Sequence, residues 1–91
     1  MSETAEARLK RMRMRSWRRG TKEMDMILGP FSDERLASLD APSLDIYDRL
    51  LEENDQDLYP WVSGAQPCPA HYSALLAQIG EFARARHITR S

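Results

Sequence analysis

The chain has 91 residues, 13 basic and 14 acidic, enough for one domain that buries about 60% of its unfolded surface but too little to enclose a cofactor cavity, which favours a binding module over an enzyme. The net charge of -1 hides a split: eight bases and no acid lie between Arg8 and Lys22, and eleven acids face only Arg35 and Arg49 between Glu23 and Asp57, so one part of the surface attracts anions while another repels them. Cys68 is alone and excludes an internal disulfide, and no apolar run approaches the roughly 18–20 residues of a membrane span.

Thr4 is placed to cap a first helix over residues 5–16, with Glu6 in its first turn. Ala5, Leu9, Met12 and Ser16 share one face, and Arg8, Arg11, Arg15 and Arg18 form a basic stripe beside it. Trp17 marks the end of that helix, as packing near a change of direction before Gly20. A second helix is expected over residues 19–31, with Thr21, Met24, Ile27, Leu28 and Phe31 as its core stripe and Gly29-Pro30 breaking the pattern. Ser32 then caps a short third helix over residues 33–39 that faces Leu36 and Leu39 inward.

Pro42-Ser43 opens a fourth helix through about residue 54, burying Leu44, Tyr47, Leu50 and Leu51 and keeping Asp45, Asp48, Glu52 and Glu53 wet. Asp55 caps a brief segment holding Leu58, Trp61 and Val62, in which Pro60 is tolerable only within the first turn. Residues 63–69, with Gly64, Pro67 and Pro69, form the clearest loop. A last helix spans residues 70–86, with Leu75, Ile79 and Phe82 inside and Arg84 and Arg86 in its last turn. No alternating segment is long enough for a strand. The fold class is all-α: a small antiparallel bundle of about five short helices, one domain over residues 1–91 with flexible ends at 1–4 and 87–91.

Set on a helix at 100° per residue, residues 19–31 bury a stripe centred on Met24, Ile27 and Phe31. Arg19 and Glu23 then share a flank, Gly20 lies between that flank and the core edge, and Met26 extends the patch. Two readings stand side by side. In one, Arg19 and Glu23 are a surface pair worth about 0.2–0.5 kcal/mol and Gly20 relieves crowding between helices. In the other, a fork donor, a bare backbone and a carboxylate make a docking patch. Glycine inside a helix costs about 0.8–1 kcal/mol relative to alanine, which a close approach by a helix or a partner offsets. Asp25 caps or pairs locally with the basic flank.

The run Arg15-Ser16-Trp17-Arg18-Arg19-Gly20-Thr21-Lys22-Glu23-Met24-Asp25-Met26-Ile27-Leu28-Gly29-Pro30-Phe31 resembles the signature of the succinate dehydrogenase assembly factors that promote covalent flavin attachment. Asp55-Gln56-Asp57-Leu58-Tyr59-Pro60-Trp61-Val62 resembles that family's second recognisable segment, and the likeness covers about residues 8 to 86. It implies a small all-helical protein that binds the flavoprotein subunit of succinate dehydrogenase, or of fumarate reductase, and assists attachment of FAD to a histidine of that subunit. The family's motif arginine, glycine and glutamate fall on Arg19, Gly20 and Glu23, which carry the expectation of partner contact. Arg15, Arg18 and Met26 are the flanking partner-binding candidates, with the basic stripe steering encounter.

Rival readings are weaker. Cys68 and His71 have metal-ligand types but lack a third and fourth ligand, and His87 lies in a basic tail. No catalytic residue, metal or cofactor is therefore assigned, and without a phosphate-cradling loop no direct FAD site is expected. The basic first helix with Trp17 suits a small nucleic-acid-binding or general protein-interaction module. The acidic middle and near-neutral total argue against nucleic acid, and the thin apolar face argues against membrane insertion. The N-terminus shows no secretory core, and Glu3 and Glu6 count against a mitochondrial leader, so the expected location is cytoplasmic.

Overall fold

Side-chain caps set where three helices begin. Thr4 Oγ1 accepts the Ala7 N–H at 3.0 Å, Thr21 Oγ1 that of Met24 at 3.3 Å, and Asp40 Oδ1 that of Ser43 at 2.9 Å, each satisfying a donor that the helix itself leaves open. The computed structural model describes residues 3–90, with side chains through Arg86. Its helices are α1 (Ala5–Trp17), α2 (Lys22–Arg35), α3 (Ala41–Leu50), α4 (Asp55–Ser63) and α5 (Ser73–Arg90). Short 3₁₀ turns at Leu36–Ser38 and Ala70–Tyr72 lead into α3 and α5. Among the described residues there is no strand, and the all-α class read from the sequence stands. The expected flexible ends, 1–4 and 87–91, fall in part on residues 1–2 and 91 and on the side chains of 87–91, outside the described residues.

The middle of the chain departs from the sequence reading. The second helix starts at Lys22, because Thr21 is its cap, and leaves Arg19 and Gly20 in the connector. It does not break at Gly29-Pro30 but continues to Arg35, absorbing most of the expected third helix. Ser32 is buried within it, donating from Oγ to the Gly29 carbonyl at 2.7 Å rather than capping a new helix. Pro30 has no N–H to return to Met26, and the helix persists because residues 28–32 are buried on every side. Gly29 owes its place to packing: a Cβ there would collide with the indole of Trp17. Trp17 is 39% exposed, yet the ring lies against the α2 backbone and its Nε1 donates to both Asp33 oxygens at 3.2 Å.

Two further boundaries shift. The fourth expected helix ends at Leu50 instead of near 54, and a turn carries the chain into α4. Pro60 lies inside α4 beyond its first turn, and Gly64, at φ 83°, closes that helix in the left-handed region that glycine alone enters without strain.

The core joins all five helices around α2. Met24, Leu28 and Phe31 meet Met12 of α1, Tyr47 and Leu50 of α3, Leu58 of α4 and Ile79 of α5, all fully buried. Phe31 stacks on Tyr47 at 5.9 Å and meets the edge of Phe82 at 5.5 Å. Ser16, on the apolar face of α1, donates to the Met12 carbonyl and shares a 2.7 Å bond with the Tyr47 hydroxyl, so the one phenol at the centre of the core is not left unpaired. Burial pushes the Tyr47 hydroxyl up to about 12.

Gly29→Ala should lower the unfolding free energy in urea by about 2 kcal/mol through overpacking. In a Trp17→Ala background the same methyl group should cost less than about 0.5 kcal/mol, a coupling that a double-mutant cycle measures.

Candidate functional site

Arg19 is held in the connector between α1 and α2 by its own chain. Its Nε donates to Asp55 Oδ1 at 2.9 Å, Nη1 to the Leu51 carbonyl at 2.8 Å and Nη2 to the Glu53 carbonyl at 2.7 Å. Its backbone N–H donates to Asp25 Oδ1 at 2.5 Å, the local pairing expected of Asp25. The guanidinium thus closes carbonyls that the end of α3 and the following turn leave open, a role that suits a planar fork. The side chains of Arg19 and Asp55 are 8% and 7% exposed.

Asp55 does not cap its own helix as expected. Its second oxygen, Oδ2, accepts the Thr21 N–H at 2.9 Å, so one carboxylate fixes residues on both sides of Gly20. A Cβ on Gly20 would stand 3.3 Å from that oxygen, and the need for glycine here is this close approach, not helix crowding.

The shared helical flank of Arg19 and Glu23 is therefore not what the chain forms. Glu23 sits exposed in the first turn of α2, Gly20 is exposed beside it, and Met26, 50% exposed, follows one turn later. Arg19 lies beneath them. Arg18, at the end of α1, is exposed and forms no ion pair among the described residues. Arg15 donates to Glu52 Oε2 at 2.5 Å and to the Leu51 carbonyl at 3.2 Å. The six candidates thus divide into an exposed strip of Gly20, Glu23 and Met26, flanked by Arg18, over two arginines, Arg15 and Arg19, engaged with the α3–α4 turn.

The basic stripe of α1 is similarly occupied. Arg8 reaches Asp45 at 2.7 Å, and Arg11 grips both oxygens of Asp48 at 3.0 and 2.9 Å and also Glu3 at 2.8 Å. Of the acids expected on the wet side of the fourth helix, Asp45, Asp48 and Glu52 are the partners of that stripe, whereas Glu53 accepts from the Tyr72 hydroxyl at 2.8 Å. Arg11 holds the Asp48 carboxyl below its usual range against the opposing effect of burial. Asp55 and Asp48 were the residues missed as organisers. Their signal in the sequence was the match between a basic block and an acidic block about 37 residues later.

Elsewhere, Cys68 is half-buried and unpaired in a disulfide, and no group of three or more His, Cys, Asp or Glu is arranged to hold a metal among the described residues. No helix among them is long and apolar enough to cross a membrane.

Comparison with known proteins gives a concordant result. Residues 10–83 match the family model described as "Flavinator of succinate dehydrogenase". The protein named "Succinate dehydrogenase assembly factor 2, mitochondrial" of Mycosarcoma maydis is 36% identical over 72 residues, covering 79% of this chain and 30% of the relative. The protein of that name from Schizosaccharomyces pombe is 30% identical over 86 residues, covering 92% and 62%, and that from Drosophila grimshawi 32% over 74, covering 79% and 50%. The chain thus spans 30% to 62% of the length of these relatives. Each is named as mitochondrial, which overturns the cytoplasmic location expected from the sequence.

Removing one member of a buried pair leaves the other uncompensated. Asp55→Ala should therefore lower the unfolding free energy in urea by about 3 kcal/mol, and Glu23→Ala, on an exposed turn, by no more than about 0.5 kcal/mol. Because the folded state lowers the Asp48 pKa, its stabilising contribution is present above the unfolded value near 3.9 and is lost as the pH falls through the folded value. The melting temperature should drop on acidification below about pH 4, and Asp48→Asn should flatten that part of the profile.

Proposed function

This chain belongs to the succinate dehydrogenase flavinator family, whose model covers residues 10–83, and from that membership we propose that it is an assembly factor acting on the flavoprotein subunit of succinate dehydrogenase. In this reading it binds that subunit, or the corresponding subunit of fumarate reductase, and promotes covalent attachment of FAD to a histidine there. The observation that carries the proposal is the exposed strip of Gly20, Glu23 and Met26 held on a buried frame. Asp55 accepts from Arg19 on one side of Gly20 and from the Thr21 N–H on the other, so the chain itself holds the backbone on both sides of Gly20. A surface ordered in advance loses less entropy on binding.

The chemistry lies in the partner. Bond formation between histidine and flavin draws on the flavin's own capacity to take up electrons. The assembly factor contributes geometry, holding the flavoprotein so that the two reacting groups meet. Glu23 presents a carboxylate acceptor, Gly20 leaves a bare backbone for close approach, and Met26 adds an adaptable apolar contact. Arg19 acts from below as a positioning residue, with its guanidinium committed to Asp55, Leu51 and Glu53. Arg18 and Lys22, both exposed and in no ion pair among the described residues, are cations available for steering. Nucleic-acid binding is disfavoured by the same geometry, since Arg8, Arg11 and Arg15 are already neutralised by Asp45, Asp48 and Glu52.

The test combines the purified chain with recombinant flavoprotein subunit and FAD, and reads covalent flavin by fluorescence of the denatured subunit on a gel. The wild-type chain should raise the covalent fraction. Glu23→Ala should weaken flavoprotein binding about tenfold without changing the melting temperature. Gly20→Arg lays a long side chain over the strip, sets a second guanidinium beside Asp55, and should abolish stimulation. Full stimulation by a folded Gly20→Arg protein would remove the strip from the interface.

A further inference from the structure

An open groove of about 430 Å³ runs between α2, α4 and α5, beyond the strip assigned above. Met26 and Ile27 of α2, Tyr59 and Val62 of α4, and Gly80 and Ala83 of α5 line it. Met26 and Tyr59 are 50% and 46% exposed, two of the four large apolar side chains left so open among the described residues. Paired on one concave surface, they mark an interaction site more than scattered exposure does.

The charges at this groove are of one sign. Its lining contains Arg84 and Arg86 and no carboxylate. Arg86 reaches Glu34 at 3.3 Å, whereas Arg84 forms no ion pair among the described residues and lays its Nη1 over Gly80, 3.2 Å from where a Cβ would stand. The bare backbone of Gly80 leaves room for the Val62 carbonyl of α4, 3.1 Å from where a Cβ would stand, and for the Arg84 guanidinium beside it. A cation set so close to apolar surface favours a bidentate anionic partner.

We infer that this groove receives a segment of the flavoprotein carrying an apolar side chain and a neighbouring carboxylate, an inference that rests on the function proposed above. The apolar group fills the space between Met26, Tyr59 and Ala83, and the carboxylate meets Arg84. Met26 belongs both to this groove and to the strip, one helical turn from Glu23, so the two surfaces are continuous and one partner covers both. A second copy of this chain fits poorly. A two-fold contact would pair the patch with itself, and its lining offers no carboxylate for Arg84 to meet.

The experiment measures binding of the full chain to purified flavoprotein subunit by calorimetry near physiological salt, with circular dichroism to confirm folding of each variant. Tyr59→Ser and Arg84→Glu should each raise the Kd about tenfold, and Arg84→Lys should stay within about threefold of wild type. Both substitutions sit at exposed positions, and if one variant unfolds the other decides. If folded Tyr59→Ser and Arg84→Glu bind like wild type while Glu23→Ala does not, the groove assignment is overturned and the proposed function stands. If the wild-type chain does not bind the flavoprotein at all, both readings fall. If the isolated chain sediments as a dimer that Tyr59→Ser converts to a monomer, the occupant is a second copy and the inference is overturned.

Discussion

The buried pair of Arg19 and Asp55 is the contact on which the arrangement of this protein depends. It joins the α1–α2 connector to the first residue of α4 across 36 residues of sequence. Both side chains are more than nine-tenths hidden, and the desolvation of two charges offsets much of their attraction. The net gain in stability is accordingly modest. What the pair contributes is a unique geometry, since a guanidinium that must reach one carboxylate and two carbonyls has few positions in which all three bonds form. The connector therefore enters α2 at one angle, and the residues above it face solvent in one orientation.

That constraint explains how a chain of this size presents a defined surface. The strip of Gly20, Glu23 and Met26 does not derive its order from the first turn of α2 alone, which would fray in isolation. It is clamped from beneath, with the Thr21 N–H and the Arg19 side chain held by the same carboxylate. A Cβ on Gly20 would stand 3.3 Å from that carboxylate. The chain belongs to the succinate dehydrogenase flavinator family, and the relatives it matches are named as assembly factors.

Most of the helices were legible in the sequence because their start signals and apolar periods are local: Thr4, Pro42-Ser43 and the Leu75, Ile79 and Phe82 stripe need no knowledge of the rest of the chain. Gly29-Pro30 misled because the usual reading of glycine and proline as breakers is also local, whereas their reason here is tertiary. Trp17 requires a residue without a side chain opposite it, and burial tolerates the bond that Pro30 omits. Arg19 and Glu23 illustrate the same limit at the site. Their spacing of four fits a shared helical flank, and only the capping bond from Thr21 shows that one of them precedes the helix. The resemblance identified the two important segments, 15–31 and 55–62. That they touch through Arg19 and Asp55 is a fact of three dimensions. No periodicity records it.

The fastening of α1 to α3 has a consequence for the chain before it folds. During synthesis the block from Arg8 to Lys22 leaves the ribosome well ahead of Asp45, Asp48 and Glu52, and for that interval it is an uncompensated run of cations. In that state it has the character of a polyelectrolyte, whose mutual repulsion is screened only by salt. Once α3 emerges and docks, the counterions of the basic block are supplied from within the molecule. Folding here is thus also a change of electrostatic identity, from a nascent run of cations to a surface on which carboxylates of the same chain answer Arg8, Arg11 and Arg15.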